Sequence, residues 1–202
     1  MARICDHLGR VSAVMAAIGL RDAEIAAAEA ENLASCLLAR ATGRGPIAGW
    51  CVLGGVSSAL PESFDEDWKS ASALLEESLD RCERIGVRNP TAVRRLRDVA
   101  PLSAEACQAW GVTGVLLRAA GVAEDVRQDR PYLAYAALDF NVPVGEQGDD
   151  LARLLVLSAE IHQSISLVGQ CLKLLTSLGP GEISAPVEGV VIPAGEAVSS
   201  VE

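Results

Sequence analysis

The stretch that decides the predicted fold is residues 149–178, "DDLARLLVLSAEIHQSISLVGQCLKLLTSL". Apolar residues recur in it every seven positions, with further apolar residues beside them: Leu154, Ile161, Val168 and Leu175, flanked by Leu151, Ile165 and Leu172. This spacing places them on one face of an α-helix. Asp149 is an N-cap type of residue, and "GPGE" at 179–182 interrupts the helical pattern. The stretch therefore predicts a long bundle helix that packs along its whole length.

Helical spacing of apolar residues recurs through most of the remaining chain. The predicted helices cover Met1–Ile18, Ala23 to about Ala41, Phe64–Ile85, Thr91–Val99 and Ala104–Trp110. Asp22, Ser103 and a capping box of Ser63 and Glu66 are predicted to begin three of them. Gly43 is predicted to end the second helix.

Three segments break this pattern. Residues 43–63 are rich in Gly and Pro, and within them Trp50–Leu53 predicts a short buried strand or an extended link. Residues 111–135 carry too many glycines for a comfortable helix, and residues 179–202 alternate Val, Gly and Pro as a β-segment does, with no evident partner strand. The predicted fold class is mainly α: a helical bundle over 1–178 with an irregular Gly-rich loop, and an incomplete β-like tail over 179–202.

Bulk composition limits the possible functions. The chain has 202 residues, of which 50% are hydrophobic and 3% aromatic, so the core must be aliphatic. The formal net charge of −10 argues against nucleic-acid binding, because the chain would repel phosphates. The six cysteines are scattered, which favours reduced, buried thiols over a disulfide or metal role. We expect no signal peptide, and the apolar run at 11–20 is too short to span a membrane.

Several long strings resemble a known family. They are "LSAEACQAWGVTGVLLRAAGVAEDVRQDRPYLAY" (102–135), "DFNVPVGEQGDDLAR" (139–153) and "EIHQSISLVGQCL" (160–172), with "RICDHLG" (3–9) and "GGV" (54–56) as earlier landmarks. In order and spacing they resemble the D subunit of NADH-quinone oxidoreductase. This is the catalytic-core large subunit of respiratory complex I, which is related to the large subunits of nickel-iron hydrogenases. The resemblance implies the helical core of a hydrogenase-like large subunit.

The resemblance places the Gly-rich loop in the core of that subunit. Its charged residues sit among apolar ones, and buried charges must be paired because an unpaired one costs several kcal/mol. The candidate network is Arg118, Asp125, Arg127, Asp129, Arg130 and Asp149, with Asp139 as a further partner. A structural salt-bridge lattice is the favoured interpretation. The alternative is that some of these groups line a quinone cavity or face an iron–sulfur cluster in a neighbouring subunit.

Several positions depart from the family pattern. The family has an Asp where this chain has Ala17, and complex I has a His near its cluster where this chain has Ile47. The family also has an Arg-Pro pair before "GGV", where this chain has Val52 and Leu53. The family's large subunit also has an N-terminal β-rich part, with the His and Tyr that meet the quinone headgroup, and a C-terminal helix. We expect the chain to be truncated at both ends.

The segment "GRGPIAGWCVLGGV" at 43–56 is closer to the hydrogenase-like branch, such as formate hydrogenlyase large subunits. Nickel-iron sites need two C-x-x-C pairs, and this sequence has none, so we predict no metal site. His7 lies in a family landmark. A structural role is the more natural interpretation for it, and we keep His7 as a weak candidate for contact with quinone or a proton. The sequence indicates no functional role for His162.

The resemblance implies a subunit of an electron-transfer complex. The complex as a whole would bind NAD and quinone and pass electrons from NADH to quinone. We expect no cofactor bound by this chain, an iron–sulfur cluster in a partner small subunit, and quinone as a possible ligand. Other complex subunits would be partners, and a cytoplasmic chain peripheral to the inner membrane would meet the membrane only through them. The alternative is a degenerate or split hydrogenase or formate hydrogenlyase remnant with a scaffold or assembly role. In either case any oxidoreductase chemistry is expected only within a complex, and a free-standing enzyme is disfavoured because no nucleophile triad or phosphate loop is evident.

Overall fold

A computed structural model describes residues 1–43, 49–179, 181–187, 189 and 194–199. Ile47 lies outside the described residues. The helices are α1 (Ala2–Ala17), α2 (Arg21–Thr42), α3 (Phe64–Cys82), α4 (Pro90–Leu96), α5 (Ala104–Ala109), α6 (Val115–Ala119), α7 (Val126–Asp129) and α8 (Asp150–Leu178). A π-helical turn, Glu83–Val87, follows α3, a 3-10 turn spans Tyr135–Ala137, and two short strands are β1 (Cys51–Val52) and β2 (Gly55–Val56). The prediction of a mainly α fold is confirmed.

Helices α1 and α2 pack tightly because one of them presents small residues to the other. The α1 face toward the core carries Ile4, Leu8, Val11 and Met15, and the α2 face carries mostly alanines. The glycine in the π-helical turn extends this close contact. A Cβ on Gly86 would lie 2.8 Å from the Ala23 Cβ and 3.0 Å from the Met15 Sδ. Glycine is therefore the residue that fits where three elements meet.

The predicted stripe of α3 is buried along its length. Its members are Phe64, Trp68, Ala71, Leu75, Leu79 and Cys82. The predicted capping box at its start is wrong. Ser63 has helical backbone angles, φ −80° and ψ 0°, and its hydroxyl donates to the Asp67 carboxylate (3.2 Å).

Other predicted helix ends gave mixed outcomes. Asp22 does not occupy the predicted N-cap position; it lies in the first turn of α2, and Leu20 holds the N-cap position. Ser103 caps α5 as predicted, accepting a hydrogen bond from the Ala106 backbone N–H (3.2 Å). Gly43 ends α2 in the left-handed conformation, also as predicted.

Helix α8 crosses the bundle and contacts α1, α3, α4 and α6. Leu154 and Ile161 are fully buried, whereas Leu175 is 49% exposed. The prediction that α8 packs along its whole length is therefore wrong for its last turns. Residues 175–178 are exposed on every side of the helix, so no neighbouring element of the described structure covers them.

Among the described residues, α8 is the one helix long and apolar enough to cross a membrane, and 61% of its most apolar window is buried inside the bundle. A core helix of a helical bundle has the same length and composition.

The strands form an antiparallel hairpin, with Val52 opposite Gly55. The prediction of a buried strand is wrong for β1, since both of its residues are exposed. The tail does find a partner. The Val56 N–H donates to the Ile183 carbonyl and the Ala185 N–H donates to the Gly54 carbonyl, each at 3.0 Å.

Candidate functional site

The Gly-rich loop folds into two short helices joined by a turn, and these position its charges. Gly114, with φ +70°, precedes α6, which carries Arg118 inward. Asp125 is the N-cap of α7 and accepts a hydrogen bond from the Arg127 backbone N–H (2.9 Å). Its own backbone N–H donates to the Asp129 carboxylate (3.0 Å), so the two aspartates cap the helix reciprocally.

Six side chains from four elements meet in what we call the buried charge cluster: Arg3, His7, Arg118, Asp125, Arg127 and Glu160. Glu160 of α8 is its hub. It accepts hydrogen bonds from the Arg118 Nε (2.6 Å), the His7 Nε2 (2.7 Å) and the Arg3 Nη1 (3.1 Å). Glu160 has no exposed side-chain surface and Arg118 has 1%. Such burial is tolerated because every carboxylate oxygen has a charged donor.

The second half of the cluster is the pair of Asp125 and Arg127. The Arg127 Nε and Nη2 donate to the Asp125 carboxylate at 2.9 Å and 2.5 Å. The Arg118 Nη1 lies 3.9 Å from the same carboxylate and links the pair to Glu160. The Arg127 guanidinium also lies over two aromatic rings, 4.9 Å from the Phe140 centroid and 5.6 Å from the Tyr135 centroid.

The electrostatics of the cluster favour ionised carboxylates. Burial alone would raise the pKa of Glu160, but the hydrogen bonds from His7 and Arg118 outweigh it and hold this pKa at about 2. For Asp125, burial is likewise outweighed by Arg127 and Arg118, so its pKa is lowered. The ion pair with Asp125 raises the pKa of Arg127 against the effect of burial.

The structure separates the other predicted members of the network. Asp149 is buried, but it caps α8, accepting hydrogen bonds from the backbone N–H groups of Ala152 and Asp98 (2.8 Å each). The side chains of Asp129 and Arg130 lie on the exposed surface. Asp139 is exposed too, and its backbone forms paired hydrogen bonds with the Gln170 amide (2.8 Å each). The predicted network is therefore divided, since Arg118, Asp125 and Arg127 are buried together whereas Asp129, Arg130 and Asp139 are exposed.

His7 joins the cluster through Glu160 and also borders a large groove. We call it the α1 groove. It has a volume of about 1040 Å³ and runs along one face of α1, with α8 as its floor and residues 113–116 and the end of α4 as its far wall. Its lining includes Arg3, Asp6, His7, Ala17 and Arg118. Its walls also hold Val99 and Leu116, each 41% exposed.

A second set of titratable groups surrounds His162 between α3 and α8. Its Nδ1 lies 2.8 Å from the Glu76 carboxylate and its Nε2 lies 3.1 Å from the Glu83 carboxylate. Glu83 also accepts from the Ser158 hydroxyl and from Arg88, and with His162 these bonds outweigh burial and lower the pKa of Glu83. This set ties α8 to the end of α3.

Comparison with known proteins places this architecture. Residues 18–202 match the family described as Respiratory-chain NADH dehydrogenase, 49 Kd subunit. The chain belongs to this family.

Relatives agree with that assignment. The D subunit of NADH-quinone oxidoreductase from Pelobacter propionicus is 36% identical over 181 residues, which are 90% of this chain and 45% of the relative. The D 1 subunit of the Rhizobium etli oxidoreductase is 31% identical over 194 residues, which are 96% of this chain and 49% of the relative. The C/D subunit of the Acinetobacter baumannii oxidoreductase is 38% identical over 138 residues, which are 68% of this chain and 23% of the relative. The chain thus spans about half the length of the first two relatives, and less of the third.

Two members of the buried charge cluster of this 49 Kd family chain were not predicted from the sequence. Glu160 and Arg3 both lie within strings that carried the resemblance, "EIHQSISLVGQCL" and "RICDHLG". A signal was present in α8. Glu160 stands three residues after Leu157 and four before Ser164, so helical spacing puts a carboxylate on the buried face. Such a group needs cationic partners.

Proposed function

We propose that the chain is the helical core of the large subunit of an NADH-quinone oxidoreductase and contributes there to electron transfer from NADH to quinone. The observation that carries this proposal is the family match over residues 18–202, supported by the names of the relatives. NAD would bind elsewhere in the assembly. The cytoplasmic face of the inner membrane is the expected location, with membrane contact only through other subunits.

The proposal assigns electron delivery to a partner. The cysteines of the described residues are free and lie at different depths, from buried Cys82 and Cys107 to exposed Cys36 and Cys51. An iron–sulfur cluster needs several thiolates that converge. An iron–sulfur small subunit is therefore the expected partner, and a hydrogenase-like nickel-iron role is not proposed.

The α1 groove is the proposed quinone-facing surface. Its lining combines apolar side chains, as ligand sites usually do, with charged side chains from α1, α4, α6 and α8. Two of these charged side chains, His7 and Arg118, belong to the buried charge cluster. His7 is the proposed group that meets the quinone or supplies it with a proton.

Co-expression tests this function. The chain would be co-purified with an iron–sulfur small subunit and titrated with a short-chain ubiquinone analogue, and saturable binding is the expected result. His7→Gln should weaken binding, and His162→Gln, the matched change at the other histidine, should not. An absence of saturable binding in the co-purified complex contradicts the quinone role.

A scaffold or assembly role is the second candidate, and one observation favours it. Ala17, which replaces a family Asp, lines the α1 groove and brings no titratable group to it. Under this alternative the co-purified complex forms and depends on the chain, while no quinone analogue binds.

A further inference from the structure

The inference concerns the contact between α3 and α8, and it goes beyond the proposed function without depending on it. His162 of α8 lies between two carboxylates of the segment that faces it. The His162 Nδ1 is 2.8 Å from the Glu76 Oε2, and the His162 Nε2 is 3.1 Å from the Glu83 Oε1. Glu76 belongs to α3 and Glu83 begins the π-helical turn. Both ring nitrogens are therefore engaged by one continuous stretch of chain.

Glu83 is the more deeply placed of the two carboxylates, with 12% of its side chain exposed against 44% for Glu76. Ser158, one turn before His162, donates its hydroxyl to the Glu83 Oε1, and the Arg88 Nη2 donates to the Oε2 at 2.7 Å. Burial alone would raise the pKa of Glu83, but these bonds and that from His162 outweigh it and lower this pKa. Glu83 is thus an ionised carboxylate at neutral pH.

The charged groups that bond to the ring are these two glutamates. Within the described residues, no other charged side chain of α3, the π-helical turn, α4 or α8 makes a hydrogen bond or ion pair with it. The groups that lie on these elements without touching the ring include Glu77, Asp80, Arg84, Arg94, Arg95 and Glu160.

The two contacts together need a ring that carries two hydrogens. An ionised carboxylate only accepts hydrogen bonds, and a neutral imidazole has a single N–H. A neutral His162 could therefore satisfy one glutamate only, and its other nitrogen would turn a lone pair towards the second carboxylate. The imidazolium donates to both at once. Histidine gains this second hydrogen between about pH 5 and pH 8.

The π-helical turn is held from two sides. On one side, Gly86 lies so close to α1 and α2 that a Cβ would come within 3.0 Å of Met15 and Ala23. On the other side, Glu83 bonds to Ser158 and His162 of α8. Turns of this kind are rare and frequently lie at functional positions. The α8 side is the one that contains a histidine.

We propose that His162, Glu76 and Glu83 form a proton-dependent latch, which closes when the ring takes up a proton from solvent and which holds the π-helical turn against α8. At low pH both ring N–H groups donate and the turn is fixed. As pH rises and the ring loses its second hydrogen, one contact becomes repulsive and the end of α3 loosens. The ring is 34% exposed, so water can deliver and remove the proton.

The first test uses the full chain labelled with ¹⁵N-histidine, in which His162→Gln assigns the two sets of ring signals. At pH 7 the ratio of protonated to neutral His162 should fall by about threefold in Glu76→Gln, because one charged acceptor is lost. Glu77→Gln is the matched control. It removes the same charge from the adjacent, exposed residue of α3 and should leave the ratio unchanged.

The second test measures whether the proton holds the turn. The Arg88 backbone N–H donates to the Glu83 carbonyl across the turn (2.8 Å). Its protection against hydrogen exchange, relative to an unstructured peptide at the same pH, should be about threefold greater at pH 6 than at pH 8. His162→Gln should abolish this difference. The Val56 amide of the hairpin is the internal reference and should show none.

A His162 ring that stays neutral at pH 5.5 in the unmodified chain overturns the inference, and that result needs no variant to fold. Equal ratios in Glu76→Gln and Glu77→Gln overturn it as well, once helicity has established that both variants fold. Equal protection of the Arg88 amide at pH 6 and pH 8 overturns the latch, since the ring would then titrate without holding the turn. These measurements contain no quinone, so their outcome is separate from the analogue titration that tests the proposed function.

Discussion

Glu160 is the residue on which the buried charges depend. Taking a carboxylate out of water costs several kcal/mol, and only close, oppositely charged donors offset that cost. Glu160 has three such donors within 3.1 Å, from α1 and α6. Removing one partner of such a set leaves the others buried and uncompensated.

Glu160→Ala should therefore lower the free energy of unfolding by about 3–5 kcal/mol. Urea denaturation of the full chain, followed by helical ellipticity, measures the change. Glu77→Ala on the exposed face of α3 is the control and should change stability by less than about 0.5 kcal/mol. Equal midpoints for the two variants would show that the cluster contributes nothing.

Acid should lower the free energy of unfolding because Glu160 becomes protonated. The pKa of Glu160 is about 2 in the folded chain against 4.5 for the ordinary group. A lowered folded-state pKa gives stability that is fully present above pH 4.5 and is lost as pH falls towards about 2. The expected loss is about 3 kcal/mol, since each pKa unit corresponds to about 1.4 kcal/mol.

Urea midpoints measured from pH 7 down to pH 3 test this dependence. In Glu160→Gln the urea midpoint should fall less steeply with pH below pH 5. The dependence that remains is expected from Asp125, whose pKa is also lowered. If the urea midpoint of Glu160→Gln depends on pH as strongly as that of the unmodified chain, other carboxylates cause the acid sensitivity.

At the scale of the elements, the approach to α8 depends on one glycine. Gly148 has φ +62°, its N–H donates to the Ala119 carbonyl (2.9 Å), and its carbonyl accepts from the Leu102 N–H (3.0 Å). A Cβ there would lie 2.0 Å from the Leu102 carbonyl oxygen. The segment before α5 and the turn before α8 can therefore meet only where no side chain intervenes.

Gly148→Ala and Gly43→Ala separate two effects of a side chain, the strain of the left-handed conformation and the overlap with neighbouring backbone. Both glycines have positive φ, but a Cβ on Gly43 would meet no atom of the described residues within 4 Å. Gly43→Ala should cost about 1–2 kcal/mol for the left-handed conformation alone. Gly148→Ala should cost about 2 kcal/mol more, since backbone must also move. Thermal or urea denaturation compares them, and equal losses would disprove the close contact.

At the scale of the whole molecule, the tail returns to the hairpin over two glycines. A Cβ on Gly55, whose φ is +159°, would lie 2.2 Å from the Ile183 carbonyl oxygen, which accepts from the Val56 N–H. The hairpin is only partly buried and lies at the edge of the helical bundle. A substitution in the hairpin should therefore loosen the contact between hairpin and tail without unfolding the helical bundle.

Gly55→Ala should raise the exchange rate of the Val56 amide hydrogen by about tenfold or more while helical ellipticity stays constant. Gly181→Ala, where a Cβ would meet no atom within 4 Å in the part of the chain that the structure describes, is the control and should leave that rate unchanged. Native-state hydrogen exchange measures both. A loss of helicity in Gly55→Ala would mean that the tail supports the bundle.

Local patterns predicted the helices well and the charges less well. The spacing of apolar residues located α1, α3 and α8, because one buried face leaves a period in the sequence. It could not show that Leu175 is exposed, since exposure depends on where the neighbouring helices end. The Ser63–Glu66 box failed because Ser63 has helical backbone angles and its hydroxyl donates to Asp67, four residues further along the chain.

The sequence by itself determined the family, the mainly α fold and the need for buried charges to be paired. Only the tertiary structure decided which charges pair. It joined Arg118 to Glu160 and Asp125 and left Arg130 exposed to solvent. The reason is physical. Helical periodicity is a short-range property written in neighbouring residues, whereas ion pairing depends on distances of a few ångströms between segments that only the packed chain brings together.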